Sequence, residues 1–131
     1  MEMLYIIRGL PGSGKSTKAK EIAIQEKIKY YESDMFFINS EGEYNFNFDY
    51  IKQAHEWCKI NVQSELFKGN SVIVSNTFIK FSEMVLYIEM AKEFDVRVKI
   101  IEMTGTYGNI HDVPDFILKK MKKNYERYAV I

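Results

Sequence analysis

Two rhythms of apolar and polar positions alternate along this chain of 131 residues. MLYIIR, from Met3 to Arg8, is an almost unbroken apolar run, the pattern of a parallel strand buried on both faces. It breaks at Gly9, and a helix is predicted from about Ser16. Ala19, Ile22, Ala23 and Ile28 give that helix one apolar side, while Lys18, Lys20, Glu21 and Lys27 mark the wet side. Ile28 to Ser33 reads as a short second strand ending at Asp34. Residues 35–49, MFFINSEGEYNFNFD, alternate aromatic and polar positions around Gly42 and predict a structured loop or small hairpin. Ile51, Ala54, Cys58, Val62 and Leu66 keep helical spacing from Tyr50 to Phe67, and Gly69 closes that helix. Ser71 to Ser75 is the next buried strand, residues 82–94 an amphipathic helix, and Val96 to Met103 a fourth strand. Gly105 and Gly108 punctuate a loop, and Pro114 opens a final helix over 115–128. The fold class expected is α/β: three layers, a mostly parallel sheet of four to five strands with helices on both faces, in one domain over 1–131. Its ligand should lie at the carboxyl ends of the strands.

Composition narrows the partners more than the fold. Lysine plus arginine and aspartate plus glutamate balance at 18 each, so the chain lacks the positive excess of a protein that coats nucleic acid. No apolar run is long enough to span a bilayer, and no signal-peptide pattern opens the chain, so no membrane partner is expected. Cys58 is the single cysteine, which excludes an internal disulfide framework and fits a reducing cytoplasm, the host's if the protein is viral. His55, His111 and Cys58 have no metal-ligand spacing, and no zinc site is expected.

The sharpest chemical signal is RGLPGSGKST, Arg8 to Thr17. Gly9, Gly14, Lys15 and Ser16 satisfy G-x-x-x-x-G-K-[ST] in full, between a buried strand and an amphipathic helix. Glycine lets backbone N–H groups converge on a phosphate, and the helix that follows adds its positive end. The nucleotide-binding set is therefore Gly9, Pro11, Gly12, Ser13, Gly14, Lys15, Ser16 and Thr17. Lys15 is expected at the β- and γ-phosphates and Ser16 at Mg²⁺, with a nucleoside triphosphate such as ATP as the ligand; the loop does not separate ATP from GTP.

What surrounds the loop decides where the phosphate goes. The D-x-x-G and N-K-x-D of a switch GTPase are absent, and the apolar run that would end in an acid in an ATP hydrolase ends here in Ser75 and Asn76. Asp34, at the predicted end of the second strand, is the better-placed carboxylate. It reads either as the base that accepts a proton from an attacking hydroxyl or as the cap of the next segment. Phe36, Phe37, Tyr44, Phe46 and Phe48 follow it, either as a base-stacking wall or as a satellite hydrophobic cluster. Trp57 is expected in the core.

LYIIRGLPGSGKST, SDMFF, GEYNFN, QAHEW, VIVSNT, NIHDVP and KKMKKNYERY occur in the order seen in small P-loop kinases, and the chain resembles the polynucleotide 5′-hydroxyl kinase-like family, nearest its stand-alone AAA/zeta-toxin-like kinase ATPase branch. The resemblance implies transfer of the ATP γ-phosphate to a hydroxyl, commonly at a nucleic-acid end or on a nucleotide. It gives Lys15 the phosphates, Ser16 (with Thr17) the Mg²⁺ site and Asp34 the role of general base. Asn76 and Thr77 match a polar pair facing the acceptor, alongside Phe36 and Phe37. Arg8 matches a family feature or is a plain strand-end charge.

The departures leave alternatives open. Met35 and Phe78 replace an acid and an asparagine common in relatives. The interval TGTYG, Thr104 to Gly108, stands where relatives place a longer lid that ends in arginines before the position of Asn109. Loss of such an arginine can cost about a thousandfold or more in rate. Arg8, Arg97 and Arg127 are the only arginines. Lys120 falls where relatives carry one, but a lysine lacks the bidentate fork, and Lys119 to Lys123 also read as a solvated face with Leu118 and Met121 inward. A shortened lid means a slow kinase, an arginine supplied by a protein partner, or a nucleotide-binding regulator or weak ATPase. The acceptor could equally be a modified base in DNA or a small metabolite.

Overall fold

The computed structural model describes residues 2–107 and 113–127. The elements run β1 (Met3–Arg8), α1 (Lys15–Glu26), β2 (Lys29–Tyr31), α2 (Ile51–Phe67), β3 (Val72–Asn76), α3 (Phe81–Glu93), β4 (Arg97–Glu102) and α4 (Asp115–Asn124). Four strands form one parallel sheet in the order β2-β3-β1-β4. Leu4, Ile6, Val72 and Val74 face a core built with α2 and α3, including Cys58, Val62, Met84 and Tyr87. Ile7 and Ile73 face the other way, onto Ala19 and Ile22 of α1. Helices therefore cover both faces, and the α/β reading of the hydrophobic pattern holds.

Boundaries moved where tertiary contacts override local pattern. β2 is three residues long because Ser33–Phe37 coils into a 3-10 turn, so Asp34 lies in that turn instead of at the strand end. Within the expected loop or hairpin of residues 35–49, residues 37–45 form a small hairpin with an antiparallel bridge between Ile38 and Tyr44, and a second 3-10 turn begins at Phe48. The last helix stops at Asn124, and Tyr125 turns away to pack on Arg8. The expected helical positions beyond Arg127, and the expectations on Gly108, Asn109 and His111, fall outside the described residues. Trp57 is half-buried, edge-on to Tyr31 at 5.9 Å and to Phe36 at 6.3 Å.

The register fixes what meets at the carboxyl rim. Ile7 pairs with Ser75, Arg8 with Asn76 and Glu102, and Tyr31 with Val74. Alternation sends Ser75 to the α1 face, and sends Arg8 and Asn76 to the opposite one. Glu32, one step past Tyr31, falls beside Ser75.

Candidate functional site

Between β1 and α1 the chain wraps into an anion cradle. Gly12 and Gly14 adopt φ of 78° and 96°, which favour glycine, and Lys15 begins the helix. A Cβ at Gly9 would collide with the Ser13 hydroxyl and lie 2.7 Å from the Met103 carbonyl, so the loop sits tightly on the end of β4. Ser13 is buried beneath it, whereas Thr17 is exposed on α1. Tyr107 holds the loop from outside: its N–H donates to the Gly12 carbonyl at 2.7 Å and its ring lies against Gly14. Gly14→Ala would force an L-residue to φ 96° and press its methyl against Tyr107, 3.1 Å away. The expected loss is about 1–2 kcal/mol in chemical denaturation, with weakened nucleotide binding in a titration.

Lys15 Nζ donates to the Leu10 carbonyl at 3.1 Å. Burial lowers its pKa, while the charges of Glu32 and Asp34 push it back up. Ser16 Oγ donates to Glu32 Oε2 at 2.7 Å, and Ser75 Oγ donates to the same oxygen at 3.3 Å. Burial raises the Glu32 carboxyl, reinforced by nearby Asp34 and opposed by the two serines and Lys15. Asp34 Oδ1 accepts from the Tyr44 hydroxyl at 3.3 Å. Burial, with Asp34 beside it, pushes Tyr44 up to about 12, so the phenol remains a donor at neutral pH.

These groups open on one cleft of about 310 Å³. Its floor is Pro11, Gly12, Gly14, Lys15 and Ser16, with Glu32, Ser33 and Asp34 to one side and Ser75, Asn76 and Thr77 behind. Asn76 Oδ1 accepts from the Ser33 N–H at 2.8 Å, and the Thr77 carbonyl accepts from Gly9 N–H at 3.3 Å. His55 Nδ1 and Ser33 Oγ are 2.9 Å apart. A separate depression, about 430 Å³, lies near Glu2, Glu65 and Asn70 at the amino ends of the strands, away from the phosphate loop.

The aromatic segment forms a hydrophobic cluster and also lines the cleft. Phe37 is buried at the centre of a cluster with Phe36 at 5.4 Å, Phe46 at 5.0 Å and Tyr44 at 6.3 Å. Phe37, Tyr44, Phe46 and Phe48 also form one wall of the cleft, whereas Phe36 does not line it. α4 supplies the facing wall through Ile117 and Met121, one helical turn apart. That spacing leaves Lys120 exposed and outside the cleft lining, which corrects its assignment to the acceptor side.

Nor does an arginine reach the cleft. Arg8 is fully buried on the opposite sheet face, bonded to the Phe78 carbonyl at 2.7 Å and Glu102 at 3.1 Å, with the Phe81 and Tyr125 rings beside its guanidinium. It is a structural strut. Arg97 opens β4 at the far end of the sheet, and Arg127 lies by Tyr125. Glu32 is the site residue that sequence reasoning missed. The signal was present, because two-residue alternation from Tyr30 puts Glu32 on the face of α1, where Ser16 lies in the first turn.

A parallel sheet with a glycine-rich loop leading into a helix at its carboxyl rim defines a P-loop nucleotide-binding protein of the kinase-like kind. Residues 4–110 match the AAA_33 family model, described as an AAA domain, and the chain belongs to that family. It is 30% identical to NEDD4-binding protein 2 of Homo sapiens over 98% of this chain, but spans only 8% of that protein. Among solved structures it is similar to a chain of the Pnkp1/Rnl/Hen1 RNA repair complex, with a TM-score of 0.71 and 18% identity over 95% of this chain and 44% of that one. A gluconokinase of Sinorhizobium meliloti 1021 superposes with a TM-score of 0.64 and 18% identity, covering 94% of this chain and 74% of the other. Among the described residues no helix is long and apolar enough to cross a membrane.

Proposed function

We propose that residues 1–131 act as one P-loop kinase-like domain, an ATP-dependent phosphotransferase of the polynucleotide kinase-like group that moves the γ-phosphate to a hydroxyl acceptor. A polynucleotide 5′-hydroxyl or a nucleotide is the acceptor that the family resemblance supports. The observation that carries the proposal is Lys15 and Asp34 on adjoining walls of one cleft, close enough for their charges to couple.

The residues fit the ligands such a reaction uses. Gly12 and Gly14 adopt positive φ, the conformation that lets successive backbone N–H groups of such a loop converge on a phosphate. Ser16 and Glu32 are hard oxygen donors of the type Mg²⁺ prefers. Mg²⁺, when bound, neutralises charge on the β- and γ-phosphates. Lys15 holds the phosphates, and Asp34 orients the acceptor hydroxyl and takes its proton as the new P–O bond forms and the bond to ADP breaks. Burial of Lys15 strengthens its attraction for phosphate, since the low dielectric screens it little.

A second acceptor reading has its own observation. Every lysine and arginine of the chain is among the described residues, and of them Lys15 alone lines the cleft. Apolar and aromatic side chains make both acceptor walls. That lining favours a hydroxyl on a flat, uncharged body, such as a modified base in DNA or a small metabolite, over a phosphate-flanked strand end. The same lack of a second lysine or arginine supports the alternatives of an arginine brought by a protein partner and of a regulator without transfer. Single-turnover assays with labelled ATP, run against 5′-hydroxyl oligonucleotides, nucleosides, hydroxymethylated DNA and small alcohols, separate these readings. Transfer to at least one acceptor is expected. ATP binding without transfer to any of them would sink the kinase reading and leave the regulator.

A further inference from the structure

β3 ends without an acid, and the structure supplies one from the neighbouring strand. Tyr31 pairs with Val74, so the next residues, Glu32 and Ser75, are lateral neighbours on the α1 face of the sheet. There Glu32 Oε2 takes the Ser75 hydroxyl at 3.3 Å and the Ser16 hydroxyl at 2.7 Å. Ser75 is itself buried, with 1% of its surface exposed. We propose that Glu32, anchored by Ser75, is the positioning residue of the divalent-cation site and acts through Ser16. The inference rests on the nucleotide-binding reading above and adds to it the residue that orients the metal ligand.

The physical case has three parts. Glu32 holds the proton of the Ser16 hydroxyl, which turns the oxygen lone pairs of Ser16 away from Glu32 and fixes their direction. A carboxylate behind a ligating group does this in many metal sites, raising the basicity of the ligand as well as orienting it. Next, a carboxylate within bonding distance of the phosphate loop repels a triphosphate, and the repulsion is strong where water is partly excluded. An intervening cation turns that repulsion into attraction on both sides. Last, Lys15 and Glu32 interact through their charges, but no salt-bridge contact joins them among the described residues, and the bond Lys15 makes goes to the Leu10 carbonyl. The competing explanation is that Glu32 only stabilises the positive amino end of α1. A purely structural acid would affect nucleotide binding equally with and without metal.

That difference is the test. Mn²⁺ is titrated into the ADP complex of the full chain and followed by electron paramagnetic resonance, while ADP affinity is measured separately in EDTA. Glu32→Gln is expected to weaken Mn²⁺ binding about 10- to 100-fold, with ADP affinity in EDTA unchanged or higher. Ser75→Ala, which removes one bond from the same carboxylate oxygen, is expected to weaken Mn²⁺ binding by a smaller factor in the same direction. Mn²⁺ affinity of Glu32→Gln within twofold of wild type overturns the proposal, as does an equal loss of ADP affinity in EDTA. If Glu32→Gln does not fold, Ser75→Ala decides, and unchanged Mn²⁺ affinity there overturns it. Wild-type protein that binds no ADP with or without Mn²⁺ overturns the nucleotide-binding reading itself, an outcome distinct from the failure of Glu32 alone.

Discussion

Replacing Arg8 with alanine is expected to cost about 3–5 kcal/mol of folding stability, the range for breaking a buried ion pair from one side. Three parts of the chain converge on this side chain. Its Nε and Nη2 donate to the Phe78 carbonyl at 3.2 and 2.7 Å, its Nη1 to Glu102 at 3.1 Å, and its Cζ lies 4.3 Å from the centre of the Tyr125 ring. The Tyr125 hydroxyl donates to the same Glu102 oxygen at 2.8 Å. The next residue, Glu126, accepts from the Phe81 N–H and donates its own N–H to the Ile79 carbonyl. Phe78 sits at φ 45°, a conformation costly for a buried aromatic, and Arg8 holds its carbonyl there. Alanine would leave that carbonyl and Glu102 without their cation and release the segment after α4 that brings Ile117 and Met121 over the cleft. The loss is a large fraction of the stability of a small protein, and the melting temperature should fall by roughly 10 °C or more. Arg8→Lys keeps the charge but not the fork and should fall between the two. Nucleotide affinity of Arg8→Ala, measured where it is still folded, should stay near wild type because Arg8 is outside the cleft. A melting temperature within 2 °C of wild type would contradict the strut.

Much of this site was legible in the sequence, and the reasons for the misses are physical. The phosphate loop has strict local geometry, so Gly9 to Ser16 could be assigned from spacing alone. The hydrophobic pattern located β1 and β3 because their residues are apolar on both faces, and β4 because Val98, Ile100 and Ile101 stand among exposed Arg97 and Lys99. The hydrophobic pattern overextends β2, since Glu32 keeps extended backbone past its end and Ser33, whose N–H bonds to Asn76, already begins the 3-10 turn. That error placed attention on Asp34 and hid the residue that meets Ser16. Arg8 and Lys120 show a different limit. The resemblance leaves Arg8 as either a family feature or a strand-end charge and sets Lys120 where relatives carry an arginine, but the side of the strand or helix that faces the ligand is decided by register and packing. Alternation in β1 turns Arg8 toward α3, and the 100° step along α4 turns Met121 inward and Lys120 out.

Asp34→Asn is expected to lower the single-turnover transfer rate by about 10²–10⁴, the usual contribution of a positioned general base. Asparagine keeps the size and can still accept from the Tyr44 hydroxyl, so the hairpin should stay in place and the effect should fall on chemistry. Without the negative charge beside the phosphate loop, ATP affinity should be unchanged or modestly higher. Tyr44→Phe removes the bond that orients Asp34 but not its basicity, and its loss should be much smaller. Glu32 is the other carboxylate at the cleft, and metal separates the two. A defect in Glu32→Gln should be eased by raising Mn²⁺, because that variant binds the cation poorly, whereas the Asp34→Asn defect should persist at saturating metal. Wild-type transfer by Asp34→Asn would remove Asp34 from the role of base. If Glu32→Gln then failed to transfer even at saturating Mn²⁺, the proton would have to go to Glu32, whose carboxyl is already held above its ordinary range by burial.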